Sequence, residues 1–215
     1  MREIRLKTMM EAAQDVCMQE NLQILGGHTE VSDAVSTPVL SVTATGTGAA
    51  PAEKKAAGLD IVVTKYIGME AAALLAQEKE AQLLARFPRV MVEKAKGFEK
   101  YLSILPEAAT AGKSGVSFMQ AVREGGIFAS LWELAERAGV GLHIDLMKIP
   151  MDQTVVEICN YYDLNPYEIL SSGSALLFAK QGQQLCEELA AIGIPAVVIG
   201  CLLYTSPSPR DAHES

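Results

Sequence analysis

Three short stretches of this chain carry residue types and spacings that could do chemistry. Gly26-Gly27-His28-Thr29-Glu30 follows a short apolar run, Leu22 to Leu25, read as a strand. Adjacent glycines permit positive φ and close approach of a ligand to the backbone. Thr29 and Glu30 then offer a hydroxyl and a carboxylate to a phosphate, a metal or a substrate hydroxyl. Taken alone, Gly-Gly is only a turn, and a lone histidine such as His28 is more often a surface or structural residue than a base. Arg123-Glu124-Gly125-Gly126 precedes a helical stretch. Free N–H groups in a first helical turn, aligned with the helix dipole, make an anion site, with Arg123 as a counter-charge. The other reading is a tight turn that packs the helix on a sheet. Ser171-Ser172-Gly173-Ser174 is a small polar loop ahead of an apolar run. It suits hydrogen bonding to substrate at Ser172 and Gly173, or a plain turn.

The elements around these stretches follow from hydrophobic period and punctuation. Residues 3–20 read as a helix with Met9, Ala13, Val16 and Cys17 on one stripe. Val39 to Thr45 alternates as a strand does, and 46–58, rich in Gly, Ala, Pro and Lys, reads as a loop or boundary. Leu59 to Lys65 is a β-branched strand. A helix from Met69 to Phe87, with Ala71, Leu74, Leu75 and Leu84 inward, stops at Pro88. Residues 90–105 are expected helical with Phe98, Leu102 and Leu105 inward. Ser117 to Val122 is a short segment, followed by a helix from Ile127 to Ala138 that ends at Gly139. Leu131, Trp132 and Leu134 are expected in its core. Leu142–Leu146, Ala175–Ala179 and Ala196–Ile199 read as strands, and Thr154–Tyr162 and Gln181–Ala191 as helices. Strands alternating with helices, without an internal repeat, indicate a layered α/β or α+β architecture.

Composition narrows the function. The net charge is −8 at pH 7, which argues against a nucleic-acid surface built of clustered Lys and Arg. A local loop can still bind phosphates through backbone N–H groups. No apolar run approaches the ~20 residues of a membrane span. The segment Met1 to Lys7 lacks the apolar core of a signal peptide, so a cytoplasmic protein without nucleic-acid or membrane partners is expected. Cys17, Cys159 and Cys186 are far apart with no C-x-x-C pair, so they read as free thiols, and no metal site is assigned.

Together, Gly26 to Val31, Ser114 to Val116 with Glu124 to Ile127 and Leu131 to Ala135, and Asn165 to Glu168 with Ser171 to Ser174 resemble one superfamily. Its members include aminoimidazole ribonucleotide (AIR) synthetase, selenophosphate synthetase, thiamine-monophosphate kinase and the hydrogenase maturation factor HypE. The nearest likeness is to HypE-like, AIR synthase-related proteins. The resemblance implies an α+β, PurM-like fold: a partial N-terminal ATP-binding domain followed by an α/β-layered PurM-like C-terminal domain. It also implies ATP and Mg2+ as cofactors, a homodimer that binds ATP across its interface, and phosphoryl transfer to a small-molecule or protein-thiol substrate. Residues 1–48 are expected to be a remnant of the first domain, 49–58 a linker and 59–200 the C-terminal domain. Most ATP and metal ligands would then precede Met1, and the extension carrying the reactive cysteine of HypE would follow Gly200.

Two departures stand out. Where the family typically has His-Asp-Val-Thr, this chain has Gln120-Ala121-Val122-Arg123, and alanine cannot coordinate a cation. Where HypE has an acidic residue before the matching glycine, this chain has Ser172. An ATP-dependent enzyme, a binding or regulatory module that has lost metal-dependent chemistry, and a generic α/β domain for a phosphorylated metabolite all follow from these residues. Finally, Cys201 to Asp211 reads as the translation of a transposase-end sequencing adapter. Residues 201–215 are therefore expected to be an adapter-derived tail, disordered and dispensable.

Overall fold

The computed structural model describes residues 2–46 and 58–203. The expected linker falls almost wholly outside the described residues, as does the tail beyond Leu203. The chain divides into two units, Met1–Ala49 and Ala50–Ser215. In the first, helix α1 spans Arg2–Gln19 and ends in a turn at Asn21, whose φ is 54°. Leu22–Leu25 and Val39–Thr45 form no strand, and Val39, Leu40 and Val42 are exposed. The alternating pattern of 39–45 is present, but no described strand of its unit pairs with it, and an unpaired strand leaves its backbone to water.

The second unit is built on a five-stranded antiparallel sheet. Its strands are β1 (Asp60–Thr64), β2 (Phe118–Ala121), β3 (Gly141–Ile144), β4 (Ala175–Ala179) and β5 (Ala196–Leu203), in the order β2-β4-β1-β5-β3. The two central strands are apolar runs because both sheet faces are covered. Ile61 and Val63 of β1, with Leu176 and Phe178 of β4, pack under helix α6 (Gly126–Ala138) through Ile127, Leu131 and Leu134. Val62, Leu177 and Ala179 face the other way, onto Leu185 and Leu189 of α8 (Gly182–Ala191) and Ala111 of α5 (Leu105–Lys113). A third core joins α2 (Met69–Glu78), α4 (Arg89–Lys96) and α7 (Gln153–Tyr161) through Ala72, Ala76, Val92, Val155 and Ile158, with Phe98 just beyond α4.

Several expectations change here. The helix expected over 69–87 breaks at Lys79, whose φ is −114°, into α2 and α3 (Glu80–Leu84), and Leu74 is exposed. The helix expected over 90–105 ends at Lys96 and gives way to a 3-10 turn, Gly97–Tyr101. Leu105 is exposed at the start of α5, a helix whose Ala- and Gly-rich sequence shows no apolar stripe. Trp132 is 68% exposed. The buried line of α6 runs through 127, 131 and 134, and a residue next to 131 points about 100° away from it. The last strand does not stop at Ile199. Leu202 pairs with Leu142 and is 2% exposed, so Cys201–Leu203 complete β5 rather than lying beyond it.

Candidate functional site

Antiparallel pairing gathers loops that are distant in sequence. Ala121 at the end of β2 faces Ala175 at the start of β4, and Val122 N–H donates to Ser174 O at 2.9 Å. The stretches 123–126 and 171–174 therefore emerge side by side at one end of the sheet, next to the end of β1. The sequence-predicted residues Arg123, Gly125, Gly126, Ser172 and Gly173 share this end.

Gly126 has φ 64°, and a Cβ there would lie inside the carbonyl of Tyr167. The Phe128 and Tyr167 rings stack at 5.0 Å, and Phe128 N–H donates to Tyr167 O. The double glycine thus locks the Asn165–Glu168 turn onto α6. Two N–H groups that the sequence reading left free for an anion are engaged: Gly126 N–H donates to Arg123 O and Phe128 N–H to Tyr167 O. The packing role is fulfilled, and the helix start offers fewer donors than expected.

The 171–174 loop is held as tightly. Ser171 Oγ accepts from Gly68 N–H at 2.8 Å and donates to Ile169 O, while Ser174 Oγ donates to Tyr66 O at 2.7 Å. Ser172 N–H donates to a carboxylate oxygen of Glu70 at 3.1 Å. That negative charge favours a hydroxyl or amine at this loop over a phosphate. Gly173, at φ 101°, abuts Tyr101 O.

Beneath the loops lies a buried polar cluster that the sequence reading missed. Lys65, at φ 53°, pairs with Glu107 Oε1 at 2.7 Å and donates to Tyr101 O and Ser103 O. Thr64 Oγ1 accepts from Ala175 N–H and donates to Glu107. Glu107 is fully buried and its Oε2 has no hydrogen-bond partner. The available signal was a lysine closing a β-branched run.

A pocket of about 520 Å³ opens beside these loops, lined by Met119, Gln120, Ala121, Arg123, Glu133 and Arg137. No three His, Cys, Asp or Glu side chains converge on a metal position among the described residues. Ala121 brings no side-chain oxygen to the pocket, and Glu133 is the one carboxylate in its lining, so the residues present lack the paired carboxylates that would fix a magnesium ion there. Gly26, Gly27, His28, Thr29 and Glu30 belong to the first unit. There they are exposed; neither glycine has positive φ, and a Cβ on either would meet nothing within 4 Å. The cysteines are free, and burial pushes the Cys159 thiol up to about 11, which suits a core thiol rather than a nucleophile.

An antiparallel sheet helix-covered on both faces, with glycine-containing loops gathered at one end, defines a layered α+β domain. Residues 56–203 match the family described as AIR synthase related protein, C-terminal domain, and the chain belongs to that family. It is 23% identical over 205 residues to carbamoyl dehydratase HypE of Bradyrhizobium diazoefficiens, covering 87% of this chain and 57% of that protein. With HypE of Rhizobium leguminosarum it shares 24% over 194 residues, 85% of this chain and 53% of the relative. The chain thus spans little more than half the length of these curated relatives. Among solved structures, Escherichia coli HypE superposes with a TM-score of 0.56 at 19% identity, over 69% of this chain and 44% of that one. Thiamine-monophosphate kinase of Stenotrophomonas maltophilia gives 0.57 at 19%, over 72% and 50%. These likenesses establish the PurM-like fold of the second unit.

Proposed function

We propose that this chain supplies the substrate-facing domain of an ATP-dependent, AIR synthase-related enzyme that activates its substrate by phosphoryl transfer. The observation that carries the reading is the convergence of Arg123–Gly126 and Ser171–Gly173 at one end of the sheet. A structure of HypE in complex with ATP superposes with a TM-score of 0.51 at 17% identity, which supports a nucleotide-using fold. In this reading Arg123 neutralises a phosphoryl group, and Ser172 with Glu70 orients a hydroxyl or amine of the substrate. ATP and Mg2+ are held mainly by a preceding domain, including Gly26–Glu30, and the working unit is a cytoplasmic homodimer.

A second reading is a binding or regulatory module of the same fold, favoured by Ala121, which brings no carboxylate to the pocket. Phosphoryl transfer needs cationic groups aligned on the transferring oxygens, and this chain brings only part of that set. Phosphate release from magnesium–ATP separates the readings. The 215-residue chain alone should show none, and the chain extended to its relatives' length should show turnover. Turnover by the chain alone would refute this division of labour. An extended protein that binds ATP without turnover establishes the module; one that ignores ATP refutes both readings.

A further inference from the structure

We infer that the pocket between β2 and α6 is a phosphate-monoester site built on Arg123 and Arg137 and primed by Gln120. This deepens the proposed function through Arg123 but rests mainly on a separate arrangement. Glu133 and Arg137 lie four apart on α6, a spacing at which a carboxylate and a guanidinium ordinarily pair. They form no ion pair here. The Gln120 amide, 8% exposed, bridges them. Its Nε2 donates to Glu133 at 2.7 Å, and its Oε1 accepts from Arg137 at 2.6 Å. The Arg137 guanidinium is thereby held against a neutral oxygen and kept out of direct contact with the Glu133 carboxylate. Arg123, on the same pocket, also makes no ion pair among the described residues. Two guanidiniums without carboxylate partners match a dianionic phosphate, which they can meet with paired N–H donors. The remaining oxygen of Glu133 suits a hydroxyl or amine on the same ligand.

The test is calorimetric titration of the 215-residue chain with inorganic phosphate, with acetate as the carboxylate control. Arg123→Met and Arg137→Met should each weaken phosphate binding roughly tenfold, the loss of one charged hydrogen-bonding partner. Arg123 is exposed and makes no ion pair among the described residues, so the melting temperature of Arg123→Met should hold, while Arg137→Met also takes a donor from Gln120 Oε1 and is read against it. Gln120→Ala should weaken binding comparably by letting Glu133 neutralise Arg137, and Gln120→Ala/Glu133→Gln should restore it. That rescue is a result that mere loss of packing would not give. Equal affinity for acetate, unchanged binding in both arginine variants, or no binding at ~10 mM phosphate, well beyond micromolar affinity, would each overturn the inference. Because no ATP is used, failure of the ATP readings leaves this result standing, and the reverse also holds.

Discussion

Gly126 shows how much of this site is set by one missing methyl group. Its backbone is left-handed, and Tyr167 O occupies the space of a side chain. Gly126→Ala should therefore destabilise the fold by more than the ~1–3 kcal/mol of a left-handed non-glycine residue. Gly139 closes the same helix at φ 63° with nothing within 4 Å, so Gly139→Ala should cost only about 1–2 kcal/mol. Urea midpoints of both variants give the comparison, and equal losses would show that the Tyr167 contact does not matter. Glu107 is the second decisive residue. Removing one partner of a buried ion pair costs about 3–5 kcal/mol, so Glu107→Ala should lose that much. The 99–103 backbone that Lys65 holds against Gly173 should also loosen, read as faster amide exchange. The glycine doublets and the serine loop were legible in the sequence because turns advertise themselves by composition. The Lys65–Glu107 pair was not, since its members lie 42 positions apart and nothing local marks Glu107 as buried.

Elements were legible where local and tertiary preferences agree. β4 falls at Ala175–Ala179, where its apolar run placed it, and α6 ends at Ala138 against the left-handed cap at Gly139. They were misread where pairing decides, as at 39–45 and at the end of β5, or where small residues hide a helix, as in α5. Helix α7 offers a test at this scale. Its N-cap Asp152 accepts from Thr154 N–H at 2.8 Å and from Lys94 Nζ through both oxygens, at 2.8 and 2.6 Å. Burial works to raise the Asp152 carboxyl, but Lys94 and Thr154 outweigh it and hold it below the ordinary carboxylate value. A depressed carboxylate stabilises the fold above its unfolded pKa of ~3.9 and loses that contribution as pH falls through the folded value. Asp152→Asn keeps a capping oxygen but cannot carry that acid-side loss. Stability measured between about pH 6 and 2.5, across the unfolded carboxylate pKa, should fall less steeply in the variant. Parallel curves would remove Asp152 from the account.

At the scale of the molecule, the alternation of strands and helices announced a layered domain, and three motifs in order announced the family. Pattern alone did not reveal that every ladder of the five-stranded sheet is antiparallel, with β4 between β2 and β1. That order is what carries 122–126 and 171–174 to a common end. The most direct test is amide chemical-shift mapping of the 215-residue chain during titration with magnesium–ATP to ~5 mM, which detects weak millimolar affinity. Shifts are expected at Gln120–Ile127 and Glu133–Arg137, and at Ser171–Ser174 and Tyr66–Glu70 where a hydroxyl or amine of the nucleotide meets the loop that Glu70 holds. Shifts clustered instead at the opposite end of the sheet, around Lys180–Gly182, or no shifts at all, would contradict this expectation.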